Sequence, residues 1–145
     1  MKKALSIYFV LILLAVTGCD NEKVVDETSL PPQASEFIEA HFPNAKVARV
    51  VRDRDELLTN FDVILDNQVE LEFDKQGECF SVDGNANEKL PDSVIPLKIL
   101  EYVQKNHADK YITDWEKDKT TQEVSLSDNK ELIFNLSGTF LRIDD

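Results

Sequence analysis

Apolar residues along this chain fall into three patterns: one nearly unbroken run, two helical stripes and a series of short alternating stretches. The run, Ala4 to Val16, follows basic Lys2 and Lys3 and gives way to Thr17, Gly18 and Cys19. It is shorter than the about 20 apolar residues that span a bilayer, and Asp20, Asn21 and Glu22 follow it without a basic stop-transfer cluster. This three-part pattern predicts an export signal. The stripes are Ala34, Phe37, Ile38 and Phe42, closed by Pro43, and Ile99, Tyr102 and Val103. They predict helices from about Gln33 to Phe42 and from about Ser93, the second with Pro96 in its first turn. Strands are predicted at Val47 to Val51, Phe61 to Leu65, Val69 to Phe73, Cys79 to Val82, Ile112 to Glu116, Glu123 to Leu126, Glu131 to Phe134 and Phe140 to Ile143.

The order helix, four strands, helix, four strands is matched by residue identity. Leu30-Pro31 recurs as Leu90-Pro91, each opening a helical pattern, and Phe37-Ile38-Glu39 aligns with Tyr102-Val103-Gln104 at an offset of 65. Glu70-Leu71 aligns with Glu131-Leu132, Phe73 with Phe134, Gly77 with Gly138 and Val82-Asp83 with Ile143-Asp144 at an offset of 61. The four missing residues fall between Asp118 and Val124, a place for a turn. In the middle hairpin, Phe61, Val63 and Leu65 share a face with Val69, Leu71 and Phe73 only if Asp66-Asn67-Gln68 is a three-residue loop. Such a loop needs a left-handed last residue, Gln68 here and Asn129 in the second copy. The opposite face then carries Asp62, Ile64, Glu70 and Glu72, and in the second copy Glu123, Ser125, Glu131 and Ile133. The predicted fold class is α+β: two tandem repeats of one helix plus a four-stranded antiparallel sheet, with both helices on one face.

Val16-Thr17-Gly18-Cys19 matches the bacterial lipobox, so Cys19 is the expected lipidation site and the membrane is reached through an N-terminal lipid. The organisation expected is a leader at 1–18, an acidic tether at 19–29 with no fold of its own, and a domain at 30–145, with repeat one at 30–84 and repeat two at 90–145. Loss of the leader takes two of the 16 basic residues and none of the 28 acidic ones, leaving 14 against 28 and a formal charge of −14. Such a surface repels nucleic acid and anionic lipid and favours cationic or neutral partners. With Cys19 carrying lipid, Cys79 has no partner for an intramolecular disulfide and reads as a small hydrophobe in a strand.

No motif marks catalytic chemistry. Asp83-Gly84-Asn85-Ala86-Asn87 begins like a calcium loop, but Glu88 and Val94 stand where an EF-hand wants Gly and Glu. Asp53-Arg54-Asp55-Glu56 reads as a solvated hairpin tip. His41 and His107 near the helix ends lack the spacing of a zinc site, no pair among the many carboxylates stands out as acid and base, and no cofactor is expected. What remains is the polar face of the sheet, where Ile64 and Ile133, with Trp115 and Phe140, are the expected binding residues: an apolar centre rimmed by acid, as a protein interface has. The expected partner is an exported protein or peptide, with a small ligand or cation as the competing class.

The chain resembles the PepSY-like, beta-lactamase-inhibitor-like family of exported Bacteroidota proteins. The resemblance rests on Leu30-Pro31, Phe37-Ile38, Phe42-Pro43, Glu70-Leu71-Glu72-Phe73-Asp74, Gly77, Val82-Asp83-Gly84, Leu90-Pro91, Ile95-Pro96 and Phe140-Leu141-Arg142-Ile143-Asp144-Asp145. It implies two helix-plus-sheet units whose strands form one larger sheet, and no established activity. Family members usually have Asn-Gly in the middle hairpins and an aromatic where Cys79 stands; Asn67-Gln68, Asn129-Lys130 and Cys79 depart from that.

Overall fold

A computed structural model of the protein describes residues 22–54, 59–85 and 88–144. The predicted leader, Cys19, and Asp55 and Glu56 of the acidic cluster lie outside the described residues.

Proline sets where both helices begin, because its ring fixes φ, removes the amide donor and drives the preceding residue to extended backbone. Pro31 precedes helix α1, Pro32–His41, and Pro96 precedes α2, Leu97–Asn106. Ile95 is extended at φ −86° and ψ 131°, so Asp92–Val94 closes into a separate 3-10 turn and the second helix starts after Pro96 rather than at Ser93. Leu30-Pro31 and Leu90-Pro91 are therefore not equivalent: the counterpart of Pro31, 65 residues on, is Pro96. Another 3-10 turn, Glu27–Ser29, stands at the same spacing before Asp92–Val94. The folded unit thus reaches back into the segment expected to be a plain tether. Both helices close alike, with the Phe42 and His107 amides donating to the Ile38 and Val103 carbonyls at 2.8 Å.

The strands are β1 Lys23–Val25, β2 Val47–Arg54, β3 Thr59–Leu65, β4 Glu70–Asp74, β5 Cys79–Asp83, β6 Ile112–Lys117, β7 Thr121–Leu126, β8 Glu131–Asn135 and β9 Phe140–Asp144. They form one antiparallel sheet in chain order, the single larger sheet that the family resemblance implies, rather than a four-stranded sheet to each repeat. The eight strands expected from alternation are all present, and β1 is an addition from the tether. The three-residue hairpin loops hold as well, with Gln68 at φ 69° and Asn129 at φ 64°, and Phe61 opposite Phe73 and Val63 opposite Leu71.

Register shifts recur at matching places: between Val47 and Arg49 in β2 and between Ile112 and Asp114 in β6, then between Glu72 and Phe73 in β4 and between Ile133 and Phe134 in β8. An irregularity of this kind adds a residue to one strand and re-aims the alternation beyond it. Past these points, Val50, Val63, Leu71, Val82, Trp115, Val124 and Leu132 lie in one cross-strand row, all buried. Ala34 and Ile38 of α1 and Ile99 and Val103 of α2 join the same core. Gly77, at φ 88°, lets the turn after β4 press on the start of α1: a Cβ there would stand 2.7 Å from the Ala34 amide nitrogen. With both helices on one side, the other face of the sheet is open.

Candidate functional site

Successive residues of a strand point to opposite faces, so the open face is composed of the residues that alternate with the core row. Two adjacent cross-strand rows result. The first runs Val51, Asp62, Glu72, Ser81, Glu116, Glu123, Ile133, Arg142; the second runs Arg49, Ile64, Glu70, Asp83, Asp114, Ser125, Glu131, Asp144. These rows hold nine carboxylates, and their only cations are Arg49 on β2 and Arg142 on β9.

Their electrostatics follow from crowding. Carboxylates opposed across strands repel, and partial burial disfavours the charged form. Burial is the leading cause that raises Asp62, Glu72 and Glu123 above the usual carboxylate range, with neighbouring acids adding to it: Asp53, Glu22 and Glu70 for Asp62; Asp62, Glu116 and Glu70 for Glu72; Glu131, Glu116 and Asp144 for Glu123. Asp114 is pushed up to about 6, first by burial, then by a hydrogen bond and repulsion from Asp83 opposite and by Glu131. The Thr113 hydroxyl, donating to Asp114 Oδ2 at 2.6 Å, opposes that rise. Beside the upper end of this face lies a solvent-facing concavity of about 340 Å³, its lining including Glu22, Arg49, Asp62, Ile64, Glu70 and Glu72.

The four expected binding residues divide. Ile64 and Ile133 lie on the open face, Ile133 buried among its neighbours. Trp115 does not: it pairs with Val82 and Val124 in the core row, and its indole N–H donates to Gln122 Oε1 at 3.2 Å. The Gln122 amide in turn donates to the Asn135 and Leu136 carbonyls at 3.3 and 3.2 Å. Phe140 is on the helix side too, stacked on Tyr102 of α2 with ring centres 4.6 Å apart. The aromatic centre expected on the open face is therefore absent; its rings belong to the core. Register shifts are the reason, since plain alternation in β6 and β9 leaves their facing undecided. The same shifts hid Asp83, Asp114, Glu116 and Asp144 as members of the acidic rows.

The remaining candidates carry little chemistry. Cys79 is buried, its thiol pushed up to about 12 by burial, and its Sγ donates to the Ser81 carbonyl at 3.4 Å. His41 bonds Ser93 through Nδ1 at 2.9 Å, and burial lowers its proton affinity. Asp83 accepts the Asn85 amide at 2.6 Å as a turn former does. Among the described residues no three acid, imidazole or thiol groups are placed to hold a metal ion, and no helix is long and apolar enough to cross a membrane.

Against this geometry, the comparisons with known proteins are specific. Two solved structures match over 88% of this chain and 100% of their own, each with a TM-score of 0.82. One, from Bacteroides thetaiotaomicron, is described as a "putative calcium-regulated periplasmic protein" and is 36% identical. The other, from Bacteroides vulgatus, is described as a "putative periplasmic protein" and is 35% identical. Among curated proteins nothing matches. One family model, described as "Putative beta-lactamase-inhibitor-like, PepSY-like", matches twice, at residues 16–78 and 59–142, and the chain belongs to that PepSY-like family.

Proposed function

We propose that this protein is an exported, lipid-anchored binding module that receives a cationic segment of a protein or peptide on the open face of its sheet. The observation that carries this reading is the pair of acidic rows: nine carboxylates on one face, with cations only on β2 and β9. Four of the nine are held above their usual range, so the empty face is in electrostatic tension. Lys or Arg side chains laid across the rows relieve that tension and also replace lost solvation. A field of one sign steers such a partner on approach. Ile64, partly exposed, supplies apolar contact between the acids. Export and lipidation rest on the lipobox at Cys19, and the periplasmic description of both solved relatives supports export. The buried, reluctant Cys79 thiol and the dispersal of carboxylates over seven strands support a non-catalytic role. Duplication of one helix-and-four-strand unit accounts for the matched turns and register shifts, and the double match of the family model supports it.

A second reading has its own support: a divalent cation, because a relative 36% identical is described as calcium-regulated. The Asp83 and Asp114 pair is where such an ion gains most. One experiment separates the two. Calorimetric titration of the domain with an oligolysine peptide and, separately, with calcium is run at low and high salt, on the parent and on a Glu72→Gln, Glu116→Gln, Glu123→Gln variant. The first reading expects peptide binding that weakens with salt and in the variant. It fails if the peptide does not bind at low salt, or binds the variant as well as the parent. Saturable calcium binding lost on Asp114→Asn, without peptide binding, establishes the second.

A further inference from the structure

The two outermost strands of the sheet are related in a way that the acidic face does not explain. Inside the molecule β5 docks on β6 with Ser81 opposite Glu116 and Val82 opposite Trp115. At the start of the sheet β1 docks on β2 with Val24 opposite Val51 and Val25 opposite Val50. Val50 and Val51 are the counterparts of Trp115 and Glu116 at the offset of 65, so β1 occupies on β2 the seat that β5 occupies on β6. The residues agree: Val24-Val25-Asp26 in β1 and after it, Ser81-Val82-Asp83 in β5, and Arg142-Ile143-Asp144 in β9. Three strands of one type are present, and two seats receive them.

β9 is the strand without a seat. It occupies on β8 the place of β5 on β4, with Ile143 opposite Leu132 as Val82 is opposite Leu71. Among the described residues nothing pairs with its outer edge. The consequence is measurable: Val82, covered by β6, is 1% exposed, whereas Ile143 is 43% exposed and its neighbour Leu141 50%. A strand edge with apolar side chains is a template for another strand.

We infer that β1 is an exchangeable cap, and that β9 of one copy docks on β2 of a second copy in the register of the β5–β6 junction, extending the sheet head to tail. Charge favours this occupant. In the internal junction Asp83 faces Asp114, two acids; carried to the junction between copies, the same register sets Asp144 against Arg49. β1 offers Arg49 no such partner, because Asp26 turns away to cap the following 3-10 turn, accepting the Thr28 amide at 2.9 Å. No ion pair within 4.0 Å among the described residues engages Arg49. The cap is also easily displaced: β1 has three residues, two exposed and one half-buried, and it brings Glu22 to where its charge opposes that of Asp62. The contact is heterologous, so copies add in a row unless the turn per copy closes a ring.

Two half-blocked chains test this by sedimentation velocity. One lacks Lys23, Val24 and Val25 and carries Ile143→Lys, leaving only the β2 edge open; the other is the unaltered domain, with β1 in place and β9 open. Mixed, they are expected to form a 1:1 complex that neither forms alone at the same concentration. Asp144→Arg in the second chain weakens the complex about tenfold, and Arg49→Asp in the first restores it. Two monomers in the mixture, or indifference to the charge reversals, overturns the proposal. If the cap-deleted chain does not fold, the unaltered domain is exposed instead to a peptide of residues 139–145. Hydrogen exchange must then show Lys23–Val25 losing protection while β2 keeps it; unchanged exchange overturns the proposal equally.

Discussion

The first and second halves of this sheet fill the same positions with different chemistry. Under α1, Phe37 meets Phe73 edge-on with ring centres 5.7 Å apart, and Cys79 stands at the neighbouring strand position. Under α2 the counterparts are Tyr102, Phe134 and Phe140, which form a closed trio at 4.6, 5.3 and 5.7 Å. Across the next strands, Val50 and Phe61 in the first half are replaced by Trp115 and Gln122 in the second, a small and a large residue exchanged for a larger pair joined by a hydrogen bond. On the open face, Arg49 in the first half stands where Asp114 stands in the second. The lesson is that the apolar layer tolerates exchange so long as neighbouring volumes compensate, while the open face keeps an acid in both halves at Asp62 and Glu123, Glu70 and Glu131, and Asp83 and Asp144, and reverses charge at Arg49 and Asp114.

The largest expected effect tests the aromatic difference. Phe73→Ala and Phe134→Ala each remove a fully buried ring and should each cost about 3–5 kcal/mol in urea unfolding. Phe134→Ala should cost the more, by about 1 kcal/mol, because it breaks two ring contacts where Phe73→Ala breaks one. Equal losses would mean that the trio adds nothing beyond buried area, and the two halves would be energetically alike.

Next in size is the polar link. Gln122→Leu leaves the buried Trp115 N–H without its acceptor and takes the side-chain donor from the Leu136 and Asn135 carbonyls, the latter keeping the Gly138 amide. A buried donor stripped of its partner costs about 1–3 kcal/mol, so the variant should unfold at correspondingly lower urea. Trp115→Phe added to it removes the orphaned N–H and should recover part of the loss. If Gln122→Leu is neutral, the second half is as plainly apolar as the first, and the comparison loses that distinction.

Which of these differences could be read from the sequence is a matter of register. The hairpins Phe61 to Phe73 and Glu123 to Phe134 are legible, because strict alternation and a three-residue loop leave one solution; Ile64 and Ile133 fall on the open face for that reason. Trp115 and Phe140 are not legible, because a register shift lies beside each of their strands and a shift erases the link between alternation and face. The facing of the four acids Asp83, Asp114, Glu116 and Asp144 is hidden on the same ground. β1 escaped because three residues, Lys23, Val24 and Val25, are too few to show a period. Their only signal was the kinship of Val24-Val25-Asp26 with Ser81-Val82-Asp83. The helix start at Pro96 was legible in principle, since a residue before proline resists helical backbone, and Ile95 is such a residue.

The smallest expected effect concerns the position of the open face where charge is reversed between the halves. Asp114 titrates near 6 in the fold against an ordinary value of 3.8, so the folded state holds its proton more tightly than the unfolded chain does. The contribution of Asp114 to stability is therefore without penalty below about pH 4, declines as pH rises through the interval from 4 to 6, and bears the full penalty above it. Asp114→Asn removes that penalty: the variant should be the more stable by about 1 kcal/mol at pH 8, a value already reduced for solvent screening of a half-exposed group, and no more stable than the parent at pH 3. Arg49→Gln at the counterpart position does the opposite. It takes a cation from the same acidic rows and should lower stability at pH 8 by a few tenths of a kcal/mol, with the loss fading as the carboxylates protonate. Melting temperatures of the three proteins at pH 3 and pH 8 decide the matter. Opposite signs at pH 8 converging at pH 3 mean that charge crowding distinguishes the two halves. Shifts of the same sign, or shifts that persist at pH 3, would trace the difference between Arg49 and Asp114 to packing instead.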